Sequence, residues 1–384
     1  MTTGITWDGA DLLDAFTIAS DLLSTNRTAI DAMNVFPVPD GDTGINMSLT
    51  MATAVAEARA HYEFEPSVGS VARWIAHGAL LGAQGNSGVI LSQICRGFAS
   101  EVDGLRTLDG PGMARGFRGA TTAAYEAVLQ PVEGTMLTVI RMAAEAASAP
   151  TAQDPSLAAV LEAAVAAARH ALIETPTMLE TLRCAGVVDA GGQGVVLVLQ
   201  GLLSQATGTA PAGDGIVLGG IPSVALVSDN HDSFGYCTNF LVTGERIPVE
   251  QVRAELGLMG QSAVIVGDAK LVKVHIHTEL PGQALDCAGR WGTLSQIKID
   301  DMNEQVTNFA AGIAPVSNSM ADSIAILAVA NGPGIAGAFQ SFGVSQVIEG
   351  GRLMSPGMDE LLRAINADSG TAIILLPNSD DAPP

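Results

Sequence analysis

From residue 8 to about 208 the chain reads as helix after helix, and the breaks between helices are built around glycine. They are Asp40-Gly-Asp-Thr-Gly44, Gly82-Ala-Gln-Gly-Asn-Ser-Gly88, Glu133-Gly-Thr135 and Asp189-Ala-Gly-Gly-Gln-Gly194. The segment Leu12 to Met33 shows the helical pattern: apolar residues at 12, 13, 16, 19, 22, 23, 30 and 33 lie close to one stripe. Further helices are predicted near 45–60, 68–81, 88–101, 112–130, 136–148, 156–174, 177–185 and 192–206, and the alanine-rich ones have high intrinsic propensity. A plain helical bundle would place polar linkers at the breaks. Loops of Gly, Asp, Asn, Ser and Thr point instead to surfaces shaped around a ligand.

The texture changes near residue 209. A linker over 209–230 leads to alternating segments over 231–318. FGYCTNFLVTG reads as a strand, IPVEQVRAELGLMG as a helix, SAVIVGD and LVKVHIHTE as a strand pair, GQALDCAGRWG as a helix and LSQIKIDDM as a strand. This β-α-β-β-α-β order is the split βαβ arrangement of a ferredoxin-like α+β domain. Over 319–384 the continuous apolar run SIAILAVA suits a buried parallel strand. A helix (GIAGAFQSFG), a strand (SQVIEGG), a helix (MDELLRAIN) and a strand (TAIILLPN) follow. They begin a doubly wound α/β domain that is expected to be truncated, with further sequence beyond Pro384 in the full-length protein. The fold class is therefore multidomain, α followed by α/β.

Charge narrows the choice of ligand. Forty acidic residues against 18 basic give a net charge of −22, and the only lysines are Lys270, Lys273 and Lys298. The first 269 residues contain none. This excludes a Walker A loop and a protein-kinase strand lysine from the helical region. An acidic surface also argues against non-specific binding to the nucleic-acid backbone. A phosphate ligand here has to be neutralised by metal ions, backbone amides or arginine. No signal peptide is visible, the most apolar run (Val195 to Leu203) is too short to span a bilayer, and four cysteines do not make a disulfide framework. The expected location is cytoplasmic.

The strongest chemical signal is Asn34-Val-Phe-Pro-Val-Pro-Asp40-Gly-Asp42-Thr43-Gly-Ile-Asn46-Met47. Two carboxylates separated by one glycine can converge on a hard divalent cation such as Mg²⁺. A helix starting near Thr43 would turn its first amides toward an anion. The alternative is a simple Asp-Gly turn capping that helix. Gly85-Asn86-Ser87-Gly88 can form an amide cradle with a hydroxyl donor, although it is also ordinary turn chemistry. Gly134-Thr135-Met136 and Asp189-Ala-Gly191-Gly192 complete the set. There Asp189 either meets a ribose or base or merely caps a helix. Together, on a lysine-free helical background, these loops point to a metal-dependent nucleotide site.

A second signal combines Cys237 with His275 and His277. Alternate residues of a strand share a face, so both imidazoles can reach one ion, and Cys-His-His suits Zn²⁺ with a fourth position open. The alternative is a buried cysteine beside two half-exposed histidines. Cys95, Cys184 and Cys287 read as small core residues.

NVFPVPDGDTGINM, GAQGNSGVILSQ, PVEGTMLTV and VVDAGGQG resemble the nucleotide-binding loops of the DhaL-type (dihydroxyacetone kinase L) domain. SFGYCTNFLV and KVHIHT resemble the middle domain of the FakA/YloV group, the ATP-binding subunits of bacterial fatty acid kinase. The resemblance runs in order from about residue 8 to 378, and PVPDGDTGxNM is its most specific motif.

It implies an eight-helix barrel over 8–208 that binds ATP with two Mg²⁺ ions. Asp40 and Asp42 would ligate the metal; Thr43, Asn46, Gly85, Asn86, Ser87 and Gly88 would hold phosphates. Thr135, Met136, Asp189, Gly191 and Gly192 would line the nucleoside pocket. It also implies Zn²⁺ at Cys237, His275 and His277, a homodimer, and a separate fatty-acid-binding partner of the FakB/DegV type. Two positions depart from the pattern. Val35 stands where dihydroxyacetone kinases carry a further metal-binding aspartate, with neutral Asn34 beside it. Gln84 stands where the fatty acid kinase group often has arginine.

The expected activity is phosphoryl transfer from ATP to a fatty acid carboxylate. That nucleophile is ionised at neutral pH and needs no general base, so positioning and charge neutralisation suffice. The competing readings are a dihydroxyacetone-kinase-like enzyme acting on a small hydroxylated substrate, and a nucleotide- or zinc-binding scaffold without turnover.

Overall fold

The computed structural model describes residues 6–62, 67–149, 155–209, 235–313, 324–330, 346–349 and 372–376, with positions 339 and 344. The chain divides into two compact units, Met1–Ile313 and Ala314–Pro384.

The first unit opens with helices α1 (Gly9–Ala32), α2 (Thr43–His61), α3 (Val68–Gly82), α4 (Gly85–Glu101), α5 (Gly110–Ala127), α6 (Met136–Ala147), α7 (Leu157–Met178), α8 (Glu180–Ala185) and α9 (Ala190–Thr207). Local chemistry sets many of their ends. Asp8, Ser67, Asp109, Thr135, Ser156 and Asp189 cap starts with side-chain acceptors, satisfying amides that have no helical partner. Gly186 and Gly208 end α8 and α9 in the left-handed conformation.

One break differs from expectation. The sequence predicts a stop before Pro176, yet α7 runs through it to Met178. Pro176 cannot donate to the carbonyl of Leu172, and the hydroxyl of Thr175 bonds that oxygen instead at 2.7 Å.

Each long helix packs on the next from α1 to α7, and α9 packs on both α7 and α1. Inside lie Leu12, Met47, Met51, Leu91, Met113 and Ile140, all fully buried. Glycine permits the closest crossing. A Cβ on Gly44 would sit 2.2 Å from the carbonyl oxygen of Arg27 on α1. Gly44→Ala is therefore expected to force α1 and α2 apart and cost about 2–3 kcal/mol. The check is a lower denaturant midpoint at unchanged slope.

The rest of the unit is β1 (Tyr236–Thr243), α10 (Val249–Leu256), β2 (Gln261–Gly267), β3 (Leu271–Thr278), α11 (Pro281–Gly289), β4 (Thr293–Asp301) and α12 (Met302–Ile313). The strands form a sheet of order β2-β3-β1-β4, antiparallel at every step. Alternation splits its faces. Phe240, Val242, Val272, Val274 and Ile276 face one way and form a core with Val252 and Leu256 of α10 and Ala284 and Ala288 of α11. The opposite face turns to the helices: Val264 and Val266 pack with Ala83, Val89 and Ala127, and Val128 bridges to Val264.

Helix α12 is not anticipated by the sequence reading. Asp301 caps it by accepting from the amides of Asn303 and Glu304, and its Met302 and Val306 pack on Val38 and Cys237.

In the second unit β5 (Ile324–Ala330), β6 (Gln346–Glu349) and β7 (Ala372–Leu376) form a parallel sheet of order β6-β5-β7. The two helices expected between these strands, and the linker 209–230 apart from residue 209, lie outside the described residues. Among the described residues no helix is long and apolar enough to cross a membrane.

Candidate functional site

The loop between α1 and α2 carries the carboxylate pair. Gly41 between them adopts φ +67°, where a side chain would be strained, and the ring of Phe309 from α12 covers it. Asn34 is buried and its amide donates to Asp40 Oδ1 at 2.5 Å. Burial raises the Asp40 carboxyl well above its ordinary value, and the Asp42 carboxylate raises it further. Asp42 is also raised, mainly by burial, while hydrogen bonds from Asn46 and Asp40 and the charge of Lys298 oppose the shift. Two desolvated carboxyls this close hold a proton between them until a cation replaces it.

The start of α2 is not an open anion site. Asp31 Oδ1 accepts from the amides of Gly44 at 2.6 Å and Ile45 at 3.2 Å. A protein carboxylate already occupies the positive end of this helix, and burial raises Asp31 to about 6. Of the phosphate donors expected there, Thr43 faces the cavities described below. Asn46 instead bonds Asp42 and packs under Gly85, which takes φ +59°.

Two cavities meet over this loop. The larger, about 150 Å³, is lined by Phe36, Ile90, Val128, Thr135, Met136, Asp189 and Gly191, and by Ser262 and Val264 of the sheet. The smaller, about 30 Å³, is lined by Asn34, Asp40, Asp42 and Gly85 and also by Cys237, His275 and His277. Pro37, Thr43, Asn86 and Ser87 line both. An elongated ligand with an apolar head and an anionic tail fits that succession.

Asp189 lines the larger cavity while capping α9, its Oδ2 accepting from Gly192 N at 2.6 Å, and burial pushes its carboxyl up to about 7. Gly192 and Gly88 line neither cavity. Gly192 packs toward Val139 and Leu172, and Gly88 N donates to the carbonyl of Gln84.

The sheet brings the second cluster together. Cys237 pairs across strands with His277, and the potential ligand atoms of Cys237, His275 and His277 lie within 4.8 Å of one another. His275 Nε2 and His277 Nε2 are 3.2 Å apart, close to the ligand separation around a tetrahedral ion with bonds of about 2.0–2.1 Å. Asn239 completes the arrangement. Its Oδ1 meets His275 Nδ1 at 2.8 Å, which leaves Nε2 free to ligate, and its amide donates to Cys237 Sγ at 3.3 Å. Burial holds His275 well below its ordinary value and His277 at about 4, so both imidazoles are neutral. Burial pushes the Cys237 thiol up to about 12, with the charges of Asp42 and Asp40 adding to it. The donor set fits a borderline-soft divalent ion.

In sequence these clusters read as separate sites on separate domains; the structure places them on one cavity. Asp31, Asn239, Lys298 and Asp300 carry no motif that marks them. Asn239 is nonetheless within reach of sequence reasoning, since it lies two residues from Cys237 on the same strand face. The others depend on register and packing.

Three family descriptions match in series. The DAK2 domain covers residues 37–204, the middle domain of the FakA-like fatty acid kinase proteins covers 233–309, and the FakA-like C-terminal region covers 325–382. Protein YloV of Bacillus subtilis (strain 168) is 35% identical over 397 residues, spanning 98% of this chain and 71% of its own length. The chain belongs to the YloV family.

An uncharacterized protein of Staphylococcus haemolyticus, also in this similarity range, is 34% identical over 377 residues, spanning 93% of this chain and 67% of its own. Among solved structures, the native dihydroxyacetone kinase of C. freundii matches 51% of this chain and 34% of its own at 20% identity, with a TM-score of 0.36. Its complex with AMP-PNP and Mg²⁺ matches 53% and 36% at 20% identity, with a TM-score of 0.38. The chain spans about a third of those structures.

Proposed function

We propose that this chain is the ATP-binding component of a two-component fatty acid kinase. In this reading the closed ring of helices is a DhaL-type eight-helix barrel and the β-α-β-β-α-β region is a ferredoxin-like domain docked over its site. One observation carries the reading: a single cavity joins Asp40 and Asp42 of the ring to Cys237, His275 and His277 of the sheet, and it opens into the larger apolar cavity through Thr43, Asn86 and Ser87. The nucleoside lies against Met136, Thr135 and Asp189, the phosphates pass Thr43, Asn86 and Ser87, and Asp40 and Asp42 hold two Mg²⁺ ions. Bound Mg²⁺ neutralises phosphate oxygens that no lysine of the helical region can reach.

In the transfer, a carboxylate oxygen of the fatty acid forms a bond to the γ-phosphorus. The bond from that phosphorus to the bridging oxygen breaks, and its electron pair leaves with ADP. No proton moves, which agrees with a site whose histidines are neutral and whose carboxyls are committed to metal. The 30 Å³ cavity beside the carboxylate pair has no room for an acyl chain, supporting delivery by a FakB/DegV-like carrier. Zn²⁺ at Cys237, His275 and His277, a homodimer and a cytoplasmic location belong to the same proposal.

The test is ATP consumption with an acceptor and a carrier varied independently. Fatty acid with carrier should yield acyl phosphate. Turnover on dihydroxyacetone without carrier would replace this reading with the small-substrate kinase, and Mg·ATP binding without turnover on either would leave a nucleotide-binding scaffold.

A further inference from the structure

The whole chain has three lysines, all after residue 269, and the sheet register puts two of them on the face that meets the carboxylates. Asn239, which orients His275 and Cys237, pairs directly with His275 on one side and with Lys298 on the other. Lys273 lies two residues before His275 on β3 and so shares its face. Neither cavity is lined by an arginine or a lysine of the helical ring.

We propose that this sheet face is the site's anion-binding surface, with Lys298 and Lys273 supplying the positive charge that receives the terminal phosphate of the nucleotide. The proposal rests on the phosphotransferase reading and extends it to two residues outside the motifs.

The two lysines are prepared differently. Lys298 Nζ lies 2.9 Å from Asp300 Oδ2, with half its side chain exposed, so it can exchange that carboxylate for a phosphate oxygen. Its charge reaches across to the helical ring, where it lowers Asp42. Burial would lower the ammonium itself, but Asp300, Cys237 and Asp42 together hold it above its ordinary value.

Lys273 is 3% exposed, and among the described residues it has no ion pair or hydrogen bond. Burial brings it down to about 8, which leaves it mostly charged at neutral pH. A buried ammonium without a partner is costly, and an arriving anion offsets that cost. The arrangement also resolves the lysine-free helical region: the ring supplies carboxylates for the metal, and the sheet supplies the cations.

Isothermal calorimetry on the full chain tests this with Mg·ATP, and with adenosine as the ligand that lacks phosphates. Lys298→Gln is expected to weaken Mg·ATP binding about 10- to 100-fold, as for loss of a charge-assisted hydrogen bond, with adenosine unchanged and Lys298→Arg close to wild type. Lys273→Met should also weaken Mg·ATP while raising the melting temperature of the apo protein, because it removes an unpaired buried charge. A loss confined to one variant assigns the charge to that lysine. Wild-type Mg·ATP affinity in both Lys298→Gln and Lys273→Met overturns the proposal, as does an equal loss for adenosine. Failure of the wild-type chain to bind Mg·ATP at all would instead defeat the phosphotransferase reading beneath it.

Discussion

Asparagine at position 40 or 42 is expected to leave a folded protein that no longer transfers phosphate. Both carboxyls are raised above their ordinary value by burial, and Asp40 is raised further by its neighbour. The pair is unfavourable in the empty fold and favourable only around a cation. Asparagine keeps the side-chain volume and removes the charge, so the apo variants should melt at or above the wild-type temperature. Turnover should fall at least ~100-fold, because metal stabilisation of transition-state charge is worth several kcal/mol and each factor of ten is about 1.4 kcal/mol.

The pH dependence has a definite sign. A carboxyl raised on folding favours the protonated native state, a contribution present below the unfolded value and lost as pH rises through the folded one. The stability of the metal-free protein should therefore gain nothing from these groups at neutral pH, whereas Mg²⁺ affinity strengthens as pH rises through the same range. Both trends should shrink in the asparagine variants. Wild-type turnover in either variant would remove the carboxylates from the chemistry, and a lower apo melting temperature would trace the loss to unfolding.

Replacing His275 by glutamine should abolish stoichiometric metal binding at the sheet cluster. Replacing Asn239 by alanine should weaken it about 10- to 100-fold, the usual cost of losing an orienting partner behind a ligand. The reasoning starts from protonation. The imidazoles are already neutral, with His277 at about 4 through burial, so they offer lone pairs throughout the neutral range. The thiol, at about 12, must lose its proton to ligate. One proton should be released for each Zn²⁺ bound, and affinity should rise about tenfold per unit between pH 6 and 8. Titration in weakly buffered solution with metal analysis measures both. Binding without proton release would mean that Cys237 stays a thiol and the ion, if held, sits elsewhere.

The helical region is readable in the sequence because its determinants are local. Apolar residues at helical spacing, capping aspartates and serines, and glycines at chain reversals each act within a few residues of their own position. The exceptions have local causes that only coordinates display, such as the Thr175 hydroxyl that lets α7 continue past Pro176. The β-α-β-β-α-β order is legible for the same reason, with strand alternation identifying Cys237, His275 and His277 as candidates for one face. Helix α12 is not; what anchors it is packing of Met302 and Val306 against Val38, more than 260 residues earlier in the chain. The expected anion site at the start of α2 illustrates the opposite error. The amides of Gly44 and Ile45 are where helix geometry puts them, but Asp31 arrives from α1 and occupies them.

By itself the sequence determined the elements, their order, the loops that carry reactive side chains and the need to neutralise phosphate without a lysine in the first 269 residues. These depend on composition and short spacing. Only the tertiary structure decided that the two clusters share one cavity, that Asn239 sets the His275 tautomer and that Lys273 and Lys298 stand on the same face as the histidines. The reason is geometric. A one-residue slip in strand register would turn every one of those side chains to the other face of the sheet, and register is set by long-range pairing and by the docking of Val264 and Val266 onto the helices.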